Sequence, residues 1–292
     1  MMLQTRDPNE ANGRATRFDT TTSLLFDRET PGQFSAYLDP AWSSLIGMHG
    51  GYLVALAIRA AQIVVGDRPI RTATTSFLRP ASAGAAELIV EVVRRGRSIT
   101  NLTVTLSQSS KAVVVCHLIA ADAVESTAWE TLTDDGLPAF ERCVPLQPPP
   151  GVGHFAHGVA VLDPADLPFS HGPRARVAGY MRPIETRPID AAWLGMALDW
   201  FPPASFTRID PPAGGISISY TIHIHRTLAL LGDDEWLGGA FRADISEGGI
   251  ALEKGVITDP AGRILAESFH TRWTAGPDQL PRGSSSVATS CS

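Results

Sequence analysis

One structural grammar is written twice in this chain: an apolar helix, a strand that ends in arginine, then two or three long strands. In the first copy Met48-His49-Gly50-Gly51 opens a helix reaching Val65, a strand follows over 72–79, and β-branched segments run through 87–120. In the second, Asp190 opens a helix that stops before Pro202-Pro203, a strand follows over 216–226, and further strands run through 236–273. Two copies of domain size indicate a duplicated domain, because solenoid units are shorter and more numerous. The strand signal is clearest where Ile216, Ile218, Tyr220, Ile222 and Ile224 alternate with Ser217, Ser219, Thr221, His223 and His225, a period of two. Turns at Arg95-Gly96-Arg97-Ser98, Ser109-Ser110 and Asp259-Pro260-Ala261-Gly262 join neighbouring strands into antiparallel meanders. A long helix laid on such a sheet, twice, predicts an α+β layer architecture.

The expected division is a tail over 1–20, a first domain over 21–122, a connection over 123–172, a second domain over 173–276 and a tail over 277–292. The connection is inferred from its Pro, Asp and Gly content, including Pro148-Pro149-Pro150-Gly151, which fits neither helical nor strand periodicity. A length of 292 residues with 44% hydrophobic content supports two real cores. The net charge of −6, with Arg94-Arg95-Gly96-Arg97 as the one basic cluster, argues against a nucleic-acid partner. No apolar run approaches the ~20 residues of a membrane span, and the polar start lacks the apolar core of a secretory signal, so a cytoplasmic location without a membrane partner is expected. Cys116, Cys143 and Cys291 are scattered, giving neither a zinc site nor a disulfide framework, and no cofactor or metal is expected.

The chemistry-bearing residues stand out by being in the wrong place. Asp199 ends an otherwise apolar segment, Ala191 to Phe201, at the negative end of a helix dipole. It is either a solvent-facing loop residue or a partly buried carboxylate with dedicated partners, the condition found at catalytic sites. Asp190, after Arg187-Pro188-Ile189, reads as an N-cap. Gly50 and Gly51 would let a ligand carbonyl or phosphate approach exposed N–H groups at a helix start, or would only let the helix pack closely, and His49 is either an oriented donor or only a loop histidine. His270 shares a strand face with Ile264, Ala266 and Ser268 and so can look toward a helix. His223 and His225 lack a third ligand at metal-site spacing. No G-x-S-x-G elbow, P-loop or G-x-G-x-x-G fingerprint occurs.

Together, Met48-His49-Gly50-Gly51-Tyr52, Ser76-Phe77-Leu78-Arg79-Pro80, Ala197-Leu198-Asp199-Trp200-Phe201-Pro202, Ile222-His223-Ile224-His225-Arg226 and Leu265-Ala266-Glu267 resemble the acyl-CoA thioesterases of the double hotdog type, the thioesterase II group. The likeness covers about residues 23–275. It implies a double hotdog fold, two tandem repeats in which a sheet wraps a central helix, an acyl-CoA substrate and a homodimer or higher oligomer. The family positions a water with an Asp on the second helix, a Thr or Ser on the next strand and a Gln on the last strand. By local matching Asp199 takes the first position and Ser217 the second, with Ser219 as a same-face rival. The Gln position falls on His270, a departure from the pattern. The implied reaction is hydrolysis by a water activated by Asp199 with Ser217 and His270, with His49, Gly50 and Gly51 on the substrate side and Trp193, Met196, Trp200 and Phe201 lining or backing an acyl pocket. The rival expectation is a non-catalytic or weakly catalytic acyl-thioester-binding protein, because His270 breaks the family pattern while every fold-carrying feature persists.

Overall fold

The computed structural model describes residues 4–5, 15–26, 29–130, 136–147, 151–209 and 215–274. A short helix, α1 (Arg17–Thr21), precedes the first half, which comprises β1 (Gln33–Leu38), α2 (Gly50–Val65), β2 (Ile70–Phe77), β3 (Gly84–Arg95), β4 (Ile99–Gln108) and β5 (Lys111–Ala121). The second half comprises β6 (Gly158–Leu162), β7 (Arg176–Pro183), α3 (Ala191–Ala197), β8 (Ile216–Ile224), β9 (Leu237–Glu247), β10 (Ile250–Thr258) and β11 (Ile264–Trp273). These strands follow one another as β1-β3-β4-β5-β2-β8-β11-β10-β9-β7-β6 inside a 14-stranded sheet. The spatial order β1-β3-β4-β5-β2 is repeated as β7-β9-β10-β11-β8, so the duplicated grammar becomes a duplicated sheet.

The two copies join where β2 and β8 pair antiparallel, Tyr220 opposite Thr75 and Ile222 opposite Ala73. All four of these side chains are buried, so one apolar face runs unbroken across the junction. The helices cover that face. From Tyr52 to Ala61 every residue of α2 but Arg59 is buried, and the many alanines let α3 approach closely. At Gly195 of α3 a Cβ would lie 2.7 Å from the Ile58 Cδ1 of α2, so the contact admits only glycine without a shift. The Ser109-Ser110 turn between β4 and β5 takes positive φ at both residues, 48° and 60°, the conformation a two-residue hairpin needs.

Three expectations differ from the structure. The second helix is far shorter than the first: α3 ends at Ala197, and the chain continues as tight i to i+3 turns in which Asp199 N–H donates to Met196 O and Trp200 N–H to Ala197 O. Asp199 therefore lies just beyond the helix, freed from its axis and turned back toward α2. Within 123–172, expected to be connection, β6 and the two-residue strand Val144–Pro145 extend the second half's sheet beyond β7. Their short, mixed pattern gave no period to detect. The polar start, expected to be a tail, contains α1, whose Phe18 and Asp19 are buried. Asp19 is held there by ion pairs of 2.8 Å to both Arg59 of α2 and Arg187, tying the segment to both halves, which no local pattern signals. The tail over 277–292 lies outside the described residues.

Candidate active site

Four elements deliver the expected residues to one place. α2 brings its first turn, the turn after α3 brings Asp199, and β8 with β11 bring Ser217 and His270. The approach is close because Gly50 and Gly51 carry no side chain: a Cβ on Gly50 would lie 2.9 Å from Asp199 Oδ2 and 3.3 Å from Ser217 Oγ, and one on Gly51 would lie 2.6 Å from Met196 O.

Asp199 is buried and fully engaged. Its Oδ2 accepts the Gly51 N–H at 2.8 Å, an anion at the positive end of a helix dipole, and its Oδ1 accepts from Arg272 Nη2 at 2.8 Å. Burial alone would raise its pKa, but Arg272, with His270 and His49 adding to it, holds the carboxyl well below the usual range. Arg272 is itself buried between two carboxylates, its Nη2 also lying 3.1 Å from Glu253 Oε1. Glu253 in turn accepts the Ala204 N–H at 2.5 Å. Burial would lower the guanidinium's pKa, and the two carboxylates outweigh it. The result is a continuous chain from the start of α2 through Asp199, Arg272 and Glu253 to the loop after α3.

His270 lies beside this chain, 1% exposed, with its ring 4.6 Å from that of Tyr220. Nε2 is 2.8 Å from Ser217 Oγ, and Nδ1 is 3.4 Å from Asp199 Oδ1, a charge contact not aligned as a hydrogen bond. Burial, reinforced by Arg272, lowers its pKa to about 3, so the ring is neutral at physiological pH. A neutral ring with Nδ1 unprotonated would turn a lone pair toward the Asp199 carboxylate. The favoured tautomer therefore carries the proton on Nδ1 and presents the Nε2 lone pair to the Ser217 hydroxyl.

Ser217 reaches this position through a β-bulge. Ser217 pairs with Arg272 and Ser219 with Thr271, leaving Ile218 without a partner. Arg272 shares the helix-facing side with His270, so its partner Ser217 faces the helices, while Ser219 stays on the far side opposite exposed Ser76. Strict alternation would have placed Ser217 and Ser219 together, away from Tyr220. The bulge separates the two serines and selects Ser217.

His49 performs a different task from the expected substrate contact. Its Nδ1 accepts the Tyr52 N–H at 3.3 Å, so Nε2 carries the proton and donates to the Asp199 main-chain oxygen at 2.8 Å. With both nitrogens used inside the protein, His49 positions the Asp199 turn. Its ring stacks 4.2 Å from that of His154, whose pKa burial and His49 push down to about 2. The Gly51 N–H is taken by Asp199, whereas the Gly50 N–H has no acceptor among the described residues. Trp193, Met196, Trp200 and Phe201 all belong to the apolar core, and Trp200 Nε1 donates to His154 O. Sequence reasoning missed Arg272, Glu253 and His154. The first two were detectable: Arg272 continues the face of Ala266, Ser268 and His270, and Glu253 that of Ala251 and Ile257, charges on otherwise buried faces. His154 lies in an irregular segment with no such signal.

A two-part family profile matches the chain, its acyl-CoA thioesterase N-terminal domain over residues 38–123 and its C-terminal domain over 140–273. The chain belongs to the acyl-CoA thioesterase family. Solved structures agree on the fold. A hot dog fold protein from Alicyclobacillus acidocaldarius is 21% identical with a TM-score of 0.79 over 90% of this chain and 100% of its own. An acyl-CoA thioesterase II, TesB2, from Mycobacterium marinum is 18% identical with a TM-score of 0.68 over 91% and 100%. A tesB protein from Mycobacterium avium subs paratuberculosis is 17% identical with a TM-score of 0.71 over 88% and 98%. Among curated protein sequences none matches. As a family member the chain is a thioester hydrolase of the double hotdog architecture. No described helix is long and apolar enough to cross a membrane.

Proposed function

We propose that this thioesterase hydrolyses acyl-CoA to the free acid and CoA at the cluster of Asp199, Ser217 and His270. The observation that carries the reading is the Ser217 Oγ to His270 Nε2 contact of 2.8 Å, set against a buried carboxylate and the first turn of α2. The thioester oxygen lies at the Gly50 N–H, where the helix dipole and a donor in a water-poor setting stabilise the developing oxyanion. Nε2 of His270 takes a proton from the reacting hydroxyl. Asp199, whose Oδ1 lies 3.4 Å from Nδ1, balances the charge that forms on the ring and does not accept the proton itself. The two domains of the proposal are residues 21–122 and, extended from 173–276 to take in Val144–Pro145 and β6, a second domain that begins near residue 140, and the reaction centre belongs to both.

One observation bears on the rival reading, a binding protein with little or no turnover: each Asp199 oxygen already accepts from one donor, Gly51 N–H or Arg272, which weakens the carboxylate as a base while leaving each oxygen a second lone pair. Hydrolysis measured across short, medium, long and aryl acyl-CoAs, with Asp199→Asn alongside, separates the two. A rate in the native protein that falls ~100-fold or more in the variant supports catalysis at this cluster, given the usual worth of positioned acid–base groups. Binding of acyl-CoA without release of CoA from any substrate overturns it in favour of the binding protein.

A further inference from the structure

We propose that Ser217 is itself the nucleophile, so that hydrolysis proceeds through a covalent acyl-Ser217 ester and not by direct attack of water on the thioester. The inference rests on the thioesterase reading and concerns its chemical route. Four observations carry it. His270 stands where the family resemblance expects a glutamine, and an imidazole, unlike an amide, can both take and return a proton. The ring lies between the other two residues, with Ser217 Oγ hydrogen-bonded at 2.8 Å to Nε2 and Asp199 Oδ1 in charge contact 3.4 Å from Nδ1, a contact that needs only a small turn of the ring to become the hydrogen bond of a serine–histidine–aspartate set. The burial also fits: Asp199 and His270 are buried, whereas Ser217 keeps part of its surface exposed. Finally, the group hydrogen-bonded to the Ser217 hydroxyl is His270, whereas the Asp199 oxygens are turned to the Gly51 N–H and Arg272.

The steps balance without any further reactant than water. Ser217 Oγ forms a bond to the thioester carbonyl carbon as its proton passes to His270 Nε2, and the Gly50 N–H meets the oxygen that becomes negative. The tetrahedral species collapses with cleavage of the carbon–sulfur bond, and the departing thiolate takes the proton from Nε2 to leave as free CoA thiol. Water then attacks the ester carbon, giving its proton to Nε2. Cleavage of the carbon–Oγ bond returns that proton to Ser217 and releases the acid. The acid, CoA and the starting enzyme are the net products.

The test follows acid-quenched reactions of the full-length protein with an acyl-CoA by intact mass and peptide mapping, and follows CoA release with and without hydroxylamine. An acyl mass on the Ser217 peptide is expected, or, where the ester turns over too fast to accumulate, acyl hydroxamate formed at the expense of free acid with an unchanged rate of CoA release. Ser217→Ala abolishes both signals. His270→Gln, which takes away the ring that accepts the Ser217 proton, also removes the adduct and the hydroxamate. CoA release with no adduct and with a rate that climbs in step with hydroxamate overturns the inference, as does full activity in Ser217→Ala. A fluorophosphonate probe separates the two levels. Labelling at Ser217 that needs His270, in a protein that releases no CoA, sinks the thioesterase reading and sustains the nucleophile, whereas no labelling together with no adduct overturns the nucleophile.

Discussion

Lowering the pH from 7 to 5 should destabilise this protein chiefly through its buried histidines. In the folded state His270 has a pKa of about 3 and His154 of about 2, against 6.5 for an exposed histidine, and His49 and His157 are also lowered, chiefly by burial. The unfolded chain binds protons below pH 6.5 while these folded sites do not, so stability falls as pH drops through that window and continues to fall until the folded pKa is reached. At pH 5 each fully shifted histidine costs 1.5 pH units, about 2 kcal/mol at 1.36 kcal/mol per unit, or about 4 kcal/mol for His270 and His154 together. Against a typical total of 5–15 kcal/mol that is a large loss. With a urea dependence of about 3 kcal/mol per molar, the unfolding midpoint should move down by more than about 1 M between pH 7 and pH 5. His270→Gln cannot titrate, so its own drop over the same interval should be smaller by about 2 kcal/mol. Midpoints that coincide at the two pH values, or a His270→Gln drop as large as that of the parent, would refute the assignment of these rings as buried neutral imidazoles.

Two substitutions test the scaffold of the site. Gly50→Ala places a Cβ 2.9 Å from Asp199 Oδ2, 3.2 Å from Phe77 Cζ and 3.3 Å from Ser217 Oγ, so CoA release should fall ~100-fold or more through misplacement of about an ångström. An undiminished rate would show that the first turn of α2 does not abut the reacting groups. Arg272→Met leaves Asp199 and Glu253 buried without their shared cation and should cost about 3–5 kcal/mol in urea unfolding, part of it recovered by adding Glu253→Gln. Equal stability of Arg272→Met and parent would mean the guanidinium is not what holds the two carboxylates in place.

The chain's residues determine, without any three-dimensional knowledge, that there are two copies and what each contains. Period-two alternation in β8, the β-branched run of β3 to β5 and the apolar helix after Met48 are local properties, and local backbone preference is enough to register them. The odd charges are legible for the same reason, since Asp199 in an apolar segment breaks a pattern visible over a dozen residues. What the tertiary structure decided was which of these residues meet. The bulge at Ile218 turns Ser217 inward and leaves Ser219 outside, a choice made by pairing with β11 that strict alternation contradicts. His49 reads as a ligand contact in sequence, yet its two nitrogens are consumed by Tyr52 and by the main chain of Asp199, 150 residues away. Arg272 becomes the partner of Asp199 only when β11 passes beneath the turn after α3, and α1 is held by distant partners, Asp19 meeting Arg59 and Arg187 and Phe18 packing on Trp42. Periodicity reports the face a residue belongs to, because that follows from backbone geometry. Its partner on that face is set by register and helix packing over long separations, where the energy is shared among contacts that no local window contains.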